Sequence, residues 1–166
     1  MAEFLFITDL ELKSTTLLNG SVDPDSYKFC LAMAQDETIL PMLGNALYDV
    51  IYAGAEASTL TGLYLTLYND YVKPITKYSG LSKYILIASY KLDNAGIFKK
   101  TPDNTQSIEL SEAQMLADMH MNKAQLHIDR FENWISANPI TEYTADNQGE
   151  VDAQNITERG GWYFGE

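Results

Sequence analysis

Two adjacent acids, Asp36 and Glu37, open the segment AQDETILPMLGNALYD beside a proline and a glycine. Such a pair suggests general acid–base chemistry, which needs one protonated and one ionised group within reach of the same atom. Neighbours on a helix point about 100° apart and cannot clamp one proton between them. A partner from elsewhere, such as Asp49 or Asp70, would be needed, and the pattern selects neither. The competing reading is a structural corner. In it Asp36 closes one helix, Ile39, Leu40, Met42 and Leu43 plug the core, and Pro41 forbids a continuous helix. Gly44 then turns the chain, Asn45 caps the next helix, and Leu47 and Tyr48 lie on that helix.

The remaining chemistry-bearing residues are few. His120, Lys123, His127 and Arg130 share one stripe at spacings of 3, 4 and 3. They form either a solvated basic edge or a contact with an acidic surface of a neighbouring subunit, the latter weakened by salt or pH. One cysteine and two histidines, with no H-E-x-x-H or C-x-x-C, make no zinc pattern. Cys30 lacks a basic neighbour in the pattern and reads as a small core residue. No P-loop or dinucleotide fingerprint occurs, and Gly160-Gly161 lacks the strand–turn–helix context of one. The expectation is a non-enzyme with no catalytic residue, cofactor or metal.

The elements that position these residues are mostly helical. Thr8 or Asp9 can cap a short first helix. Asp23-Pro24-Asp25 is a helix start that should bury Tyr27, Cys30, Leu31 and Ala34 up to about Gln35. Leu47, Tyr48, Ile51 and Tyr52 predict the helix after the corner. Leu63, Tyr64, Leu67, Tyr68 and Tyr71 predict another, broken or kinked at Pro74. Ile75, Tyr78, Leu81, Ile85, Ala88 and Leu92 continue at helical spacing to a stop at Asn94-Ala95-Gly96. Residues 96–109, including Ile97 and Phe98, form a hairpin (Gly96–Lys100 against Thr105–Leu110) or a projecting loop.

The longest pattern runs from Leu110 to Asn138. Leu110, Ala113, Ala117, Met121, Ala124, Ile128, Phe131 and Ile135 form an apolar face. Ser111 and Gln114 suggest a capping box, and Leu110 and Met115 a hydrophobic staple. Periodicity ends at Pro139. The expected fold is all-α: a compact helical bundle over residues 1–138 with one long C-terminal amphipathic helix, a possible arm, and an extended acidic tail over 139–166.

The net charge of −12 argues against a dedicated DNA binder, which would cluster Lys and Arg. It reads as solubility or as a surface that DNA passes without sticking. The tail holds six acids (Glu142, Asp146, Glu150, Asp152, Glu158, Glu166) against Arg159 alone. Its aromatics Trp162, Tyr163 and Phe164 are costly to leave in water and should dock on this subunit or a neighbour. No apolar run reaches the roughly 18 residues of a membrane span. The N-terminal residues lack a signal-peptide pattern, which points to a cytoplasmic or cytoplasm-assembled protein.

Ala34-Gln35-Asp36, then Ile39-Leu40-Pro41-x-Leu43-Gly44-x-x-Leu47-Tyr48, resembles a corner of small head–tail connector (adaptor) proteins of tailed phages, of the kind seen in Bacteroidetes phages and prophages. Tyr68-x-Asp70-Tyr71-Val72-Lys73-Pro74, Tyr78, Asn94-x-Gly96-Ile97, the late helix, Pro139-x-x-Glu142-Tyr143 and Gly161-Trp162-Tyr163 follow in the same order. The resemblance implies a structural virion protein at the head–tail junction: a homo-oligomeric ring, commonly of twelve copies, between the portal protein and the next neck or tail protein. DNA would cross its lumen without specific binding, and no membrane would be involved. The arm and tail would cross between subunits, with Tyr143, Trp162, Tyr163 and Phe164 as aromatic anchors. The alternatives are another neck or tail-completion ring, or a non-viral cytoplasmic helical adaptor or binding module.

Overall fold

The computed structural model describes residues 4–16, 18, 22–88, 90–93, 96–99 and 109–143, and it is all-α apart from one two-stranded ribbon. Helix α1 (Asp9–Thr15) starts at Thr8. The Thr8 hydroxyl accepts from the Glu11 N–H at 3.3 Å, and the Glu11 carboxylate accepts from the Thr8 N–H at 3.1 Å, a closed capping box. Asp23 caps a single 3-10 turn, Pro24–Ser26, which leads into α2 (Lys28–Ala34). Tyr27, Cys30, Leu31 and Ala34 are all buried, as their spacing predicts.

The corner works differently from its sequence expectation. Asp36 does not close a helix and Pro41 does not break one. The chain stays helical from α2 through a π turn, Gln35–Ile39, into α3 (Leu40–Leu43). In that turn the Leu40 N–H reaches back five residues to the Gln35 carbonyl. The widened turn disrupts the i−4 ladder just before Pro41, so proline's missing donor and its ring fall where the regular bond is already absent. The same device recurs ahead of Pro74. Helix α5 (Gly62–Leu67) passes through a π turn, Tyr68–Val72, into α6 (Lys73–Ala88), with the Lys73 N–H bonded to the Tyr68 carbonyl. The actual corner is Gly44, at φ 73° and ψ 159°. Gly44 also occupies the cap position of α4 (Asn45–Glu56), so Asn45 begins that helix instead of capping it.

Helix α6 ends at Ala88, short of the predicted Leu92. Strand β1 (Tyr90–Asp93) instead pairs antiparallel with β2 (Gly96–Lys99), matching Tyr90 to Lys99 and Asp93 to Gly96. Tyr-Lys-Leu-Asp alternates apolar and polar, a period-2 signal that competes with the helical spacing of Ala88 and Leu92. Ile97 and Phe98 therefore lie opposite Leu92 and Lys91, and not opposite residues 105–110 as the hairpin reading had them. Residues 100–108 of the expected arm lie outside the described residues. Helix α7 (Leu110–Ala137) is capped by Glu109, whose N–H donates to the Glu112 carboxylate at 3.0 Å. The cap thus lies two residues earlier than Ser111 and Gln114, and Leu110 and Met115 are exposed instead of stapled.

Phe6 is fully buried at the centre of the main core, edge-on to Tyr48, Tyr52 and Tyr68 with ring centroids 5.6, 5.9 and 5.9 Å away. Ile39 and Leu43 of the corner, Leu47 and Ile51 of α4, and Phe131 and Ile135 of α7 share this core. Gln35, also fully buried, ties the N-terminal segment to the corner. It accepts from the Phe6 N–H at 2.7 Å and donates to the Phe4 carbonyl at 3.2 Å. A smaller core of Ile7, Leu12, Tyr27, Leu31 and Leu81 lies where α2 meets α6. Gly80 permits that approach, since a Cβ there would stand 2.6 Å from Leu31 Cδ2.

The chain after α7 does not leave the body at Pro139. Ile140 is buried, the Tyr64 hydroxyl donates to Glu142 at 2.7 Å, and Tyr143 meets Phe131 edge-on at 5.6 Å. Tyr143, expected to face a neighbouring subunit, therefore packs on its own chain, and the helical body extends at least to it. Trp162, Tyr163 and Phe164 lie outside the described residues.

Candidate interaction surface on the long helix

Helix α7 rests along α6 through Ala113, Ala117 and Ala124, whose small side chains allow close approach. Two hydroxyls that α6 buries bond back along the helical backbone: Thr76 donates to the Val72 carbonyl at 2.8 Å and Ser79 to that of Ile75 at 2.7 Å.

Beside this seam the predicted basic stripe takes a different form. Tyr78 of α6 stacks on both His120 and His127, with centroids 6.1 and 5.7 Å away and planes within 23° and 18°. Residues seven apart on a helix are separated by about 10.5 Å along its axis, so one phenol ring can meet both imidazoles. Lys77 Nζ and Lys123 Nζ stand 4.7 and 5.5 Å from the same ring, a cation–π arrangement. Burial depresses both imidazoles below their ordinary value. Lys123 adds to this at His120, and Arg130 and Lys77 add to it at His127. His120 Nδ1 is buried with no hydrogen-bonding partner, so a proton placed there would be an unsatisfied donor. The two histidines are thus neutral, half-buried ring partners at neutral pH, while Lys123 and Arg130 of the same stripe are exposed.

The sign of the pH dependence follows. With folded values below 6.5, the unfolded chain takes up protons first. The stability held by neutral imidazoles is complete above pH 6.5 and declines as pH falls through the lower folded values. Asp9 and Glu11 are also held low, but from starting values of 3.8 and 4.5, so their contribution is lost further into acid. Urea midpoints should therefore fall as pH drops below about 6.5 in the native chain. That slope should flatten in a His120→Gln/His127→Gln variant.

The opposite side of α7 carries a feature the sequence reading passed over. Met115, Met119 and Leu126, at i, i+4 and i+11, are 66%, 50% and 48% exposed and lie on the face turned away from α6. Met121, expected on the buried face, is also exposed. The stripe's spacing is readable in the sequence, although Met115 also fits the staple position opposite Leu110. Unbranched methionines suit surfaces that must adapt to a partner.

The acids of the corner are not gathered into a site. Asp36 is exposed, Glu37 is ion-paired with Lys83 of α6, and Asp49 and Asp70 are both exposed. Leu43 and Leu47 are buried, Tyr48 packs on Phe6, and Pro41 is exposed. A cleft of ≈ 330 Å³ lies between the N-terminal segment, the end of α4 and α5, with Glu11, Tyr68 and Lys73 on its wall. Its charges engage each other. Lys73 bonds Glu11 at 2.6 Å and stands 5.0 Å from the Tyr68 ring centroid. Burial would raise the Glu11 carboxyl, yet the hydrogen bonds from Lys73 and Thr8 outweigh it and hold it low. The Cys30 thiol is pushed up to about 11 by burial, which leaves almost no thiolate at neutral pH. Among the described residues no cluster of three His, Cys, Asp or Glu could hold a metal ion, and no helix is long and apolar enough to cross a membrane.

These features define an all-α protein whose distinctive surface is one long helix, apolar on its free side and aromatic–cationic along one flank. The chain belongs to DUF6712, a family of unknown function, which matches residues 39–153. That span starts within the corner and contains α4 to α7 with the packed segment after them. No curated protein and no solved structure matches the chain.

Proposed function

We propose that this chain is a structural subunit of a tailed-phage head–tail junction: a helical connector that forms a ring, docks on the portal protein and links it to the next neck or tail protein. In the virion, the helical body would be a compact bundle, with the ribbon after α6 and the C-terminal segment serving as arm and tail between subunits. The observation that carries this reading is the exposed Met115–Met119–Leu126 stripe on a 28-residue helix whose opposite face is buried. A straight apolar stripe facing solvent fits a repeated contact with another chain. A ring further requires that contact to be heterologous and to close. The net charge of −12 is compatible with a lumen that lets DNA through without retaining it. The order of short motifs, which resembles that of phage connectors, favours this role over a general adaptor.

The test is assembly of the chain with the portal protein of the same phage or prophage. Negative-stain images should show a ring with a central hole on the portal. Met115→Asp/Met119→Asp should lower ring occupancy at least tenfold while leaving the helical circular dichroism unchanged. Rings of unaltered occupancy would remove the stripe from the interface. Absence of any ring from the native chain would reject the connector reading itself.

A further inference from the structure

The exposed face of α7 repeats every seven residues. Met115, Met119, Asn122 and Leu126 follow at steps of 4, 3 and 4, on the side opposite the buried Ala113, Ala117 and Ala124. Such alternation of fours and threes makes the seam of a two-stranded coil, which faces a partner helix. The two edges of this seam differ. Asp118 and Gln125 stand one residue before Met119 and Leu126, and Lys123 and Arg130 stand four residues after them. All four edge residues are exposed. Lys13, Lys28, Lys73 and Lys83 hold carboxylates of the chain, whereas Lys123 and Arg130 hold none among the described residues. Asp118 accepts from the Gln114 amide at 2.8 Å and has no cation beside it among those residues.

An apolar seam with one acidic and one cationic edge matches a second copy of itself in one orientation. In a parallel pair, the edge residue before a seam position faces the other edge of the partner helix about five residues further on. Asp118 then meets Lys123 of the second copy, and Gln125 meets its Arg130. Two-fold symmetry makes each contact twice. In an antiparallel pair each edge would face its own kind, acid to acid and cation to cation. Lys123 Nζ also stands 5.5 Å from the Tyr78 ring centroid, near the outer limit of a cation–π contact, so a carboxylate can draw it across. Asn122 lies within the seam, where an amide paired with its counterpart fixes register and strand number. Asp129 holds the next seam position. Two carboxylates meeting there would repel, so the contact ends after Leu126, about 17 Å along the axis from Met115.

We propose that two copies of this chain pair through α7, parallel and in register, with Met115, Met119, Asn122 and Leu126 as the seam and Asp118–Lys123 ion pairs along both edges. The pairing covers the apolar stripe while the chain is free. A seam this short makes a weak, exchangeable dimer. The inference does not require a ring. A heterologous contact through the same stripe would first displace the second copy.

Sedimentation equilibrium of the chain without any portal protein tests this, over concentrations reaching about 1 mM, the weak end of measurable association. The native chain should follow a reversible monomer–dimer equilibrium. Lys123→Glu sets acid against Asp118 of the second copy, and Asp118→Lys sets cation against Lys123. Each variant alone should dimerise roughly tenfold more weakly than native. An equimolar mixture of the two variants restores opposite charges along both edges, so it should return to within about threefold of native affinity. Both substitutions are at exposed positions, and a misfolded variant could not give that rescue. An antiparallel pair faces like with like before and after either swap, so single variants of native affinity would overturn the proposal. A native chain that stays monomeric, oligomers larger than two, or a mixture no tighter than its components would do the same. Rings formed on the portal by a chain that never dimerises would reject this pairing and leave the connector reading standing.

Discussion

Gln35→Leu should cost the protein roughly 2–5 kcal/mol of stability, although leucine differs little from glutamine in size and the site is fully buried. The side-chain amide pairs with two backbone groups from a segment with no regular structure of its own. It accepts from Phe6 N–H and donates to the Phe4 carbonyl. A buried donor or acceptor left unpaired costs about 1–3 kcal/mol, and leucine strands one of each. The damage should spread, because these bonds hold Phe6 against Tyr48, Tyr52 and Tyr68. A lower urea midpoint should come with a weakened near-ultraviolet tyrosine signal. Gln35→Glu separates the two bonds. Its carboxylate can still accept from Phe6 but cannot donate to Phe4, and its charge is buried, which raises its folded pKa above the usual ~4.3. The protonated acid can donate, so this variant should recover stability in acid and lose it as pH rises through the raised value. A Gln35→Leu midpoint within 1 kcal/mol of native would show that the N-terminal segment is held by Phe6 packing alone.

Gln35 also marks the limit of what the sequence discloses. Helical periodicity finds residues that lie on a buried face, and it placed Tyr27, Cys30, Leu31 and Ala34 correctly. It also located the end of α7 at Asn138, because a 28-residue amphipathic pattern followed by proline has few rival readings. A buried glutamine has no such signature, since its partners are backbone groups 29 and 31 residues away. The packing of Tyr143 was hidden for a similar reason. Its segment has no period, and only Phe131, presented by α7, gives it a place. The histidine stripe was visible as a spacing, but its charge state depends on burial and, at His127, on Lys77 from another helix, which no local pattern reports. The exposed methionines show the converse. They could have been read from their 4 and 7 spacing, had the buried face first been fixed on the alanines.

Gly44→Ala should destabilise the fold by about 1–3 kcal/mol, whereas Pro41→Ala should change it by no more than about 1 kcal/mol. Sequence rules favour the opposite order, since proline is the stronger helix breaker. The π turn at Gln35–Ile39 reverses it. The wide turn already interrupts the ladder before Pro41, and Pro41 sits exposed in the first turn of α3. Alanine there gains a donor that the helix start does not need and frees the unfolded chain slightly. Gly44 has no such relief. Its φ of 73° and ψ of 159° belong to a region that side chains exclude, and its N–H is fixed to the Leu40 carbonyl at 2.9 Å. A Cβ would force the corner to rotate, and Leu43 on one side and Leu47 on the other are both fully buried in the main core. The cost would therefore appear as lost packing as well as backbone strain. Urea midpoints of the two single variants decide the matter. If Pro41→Ala proved the more damaging, the angle between α3 and α4 would be set by the proline ring, and the π turn would be a consequence of the corner instead of its enabling device.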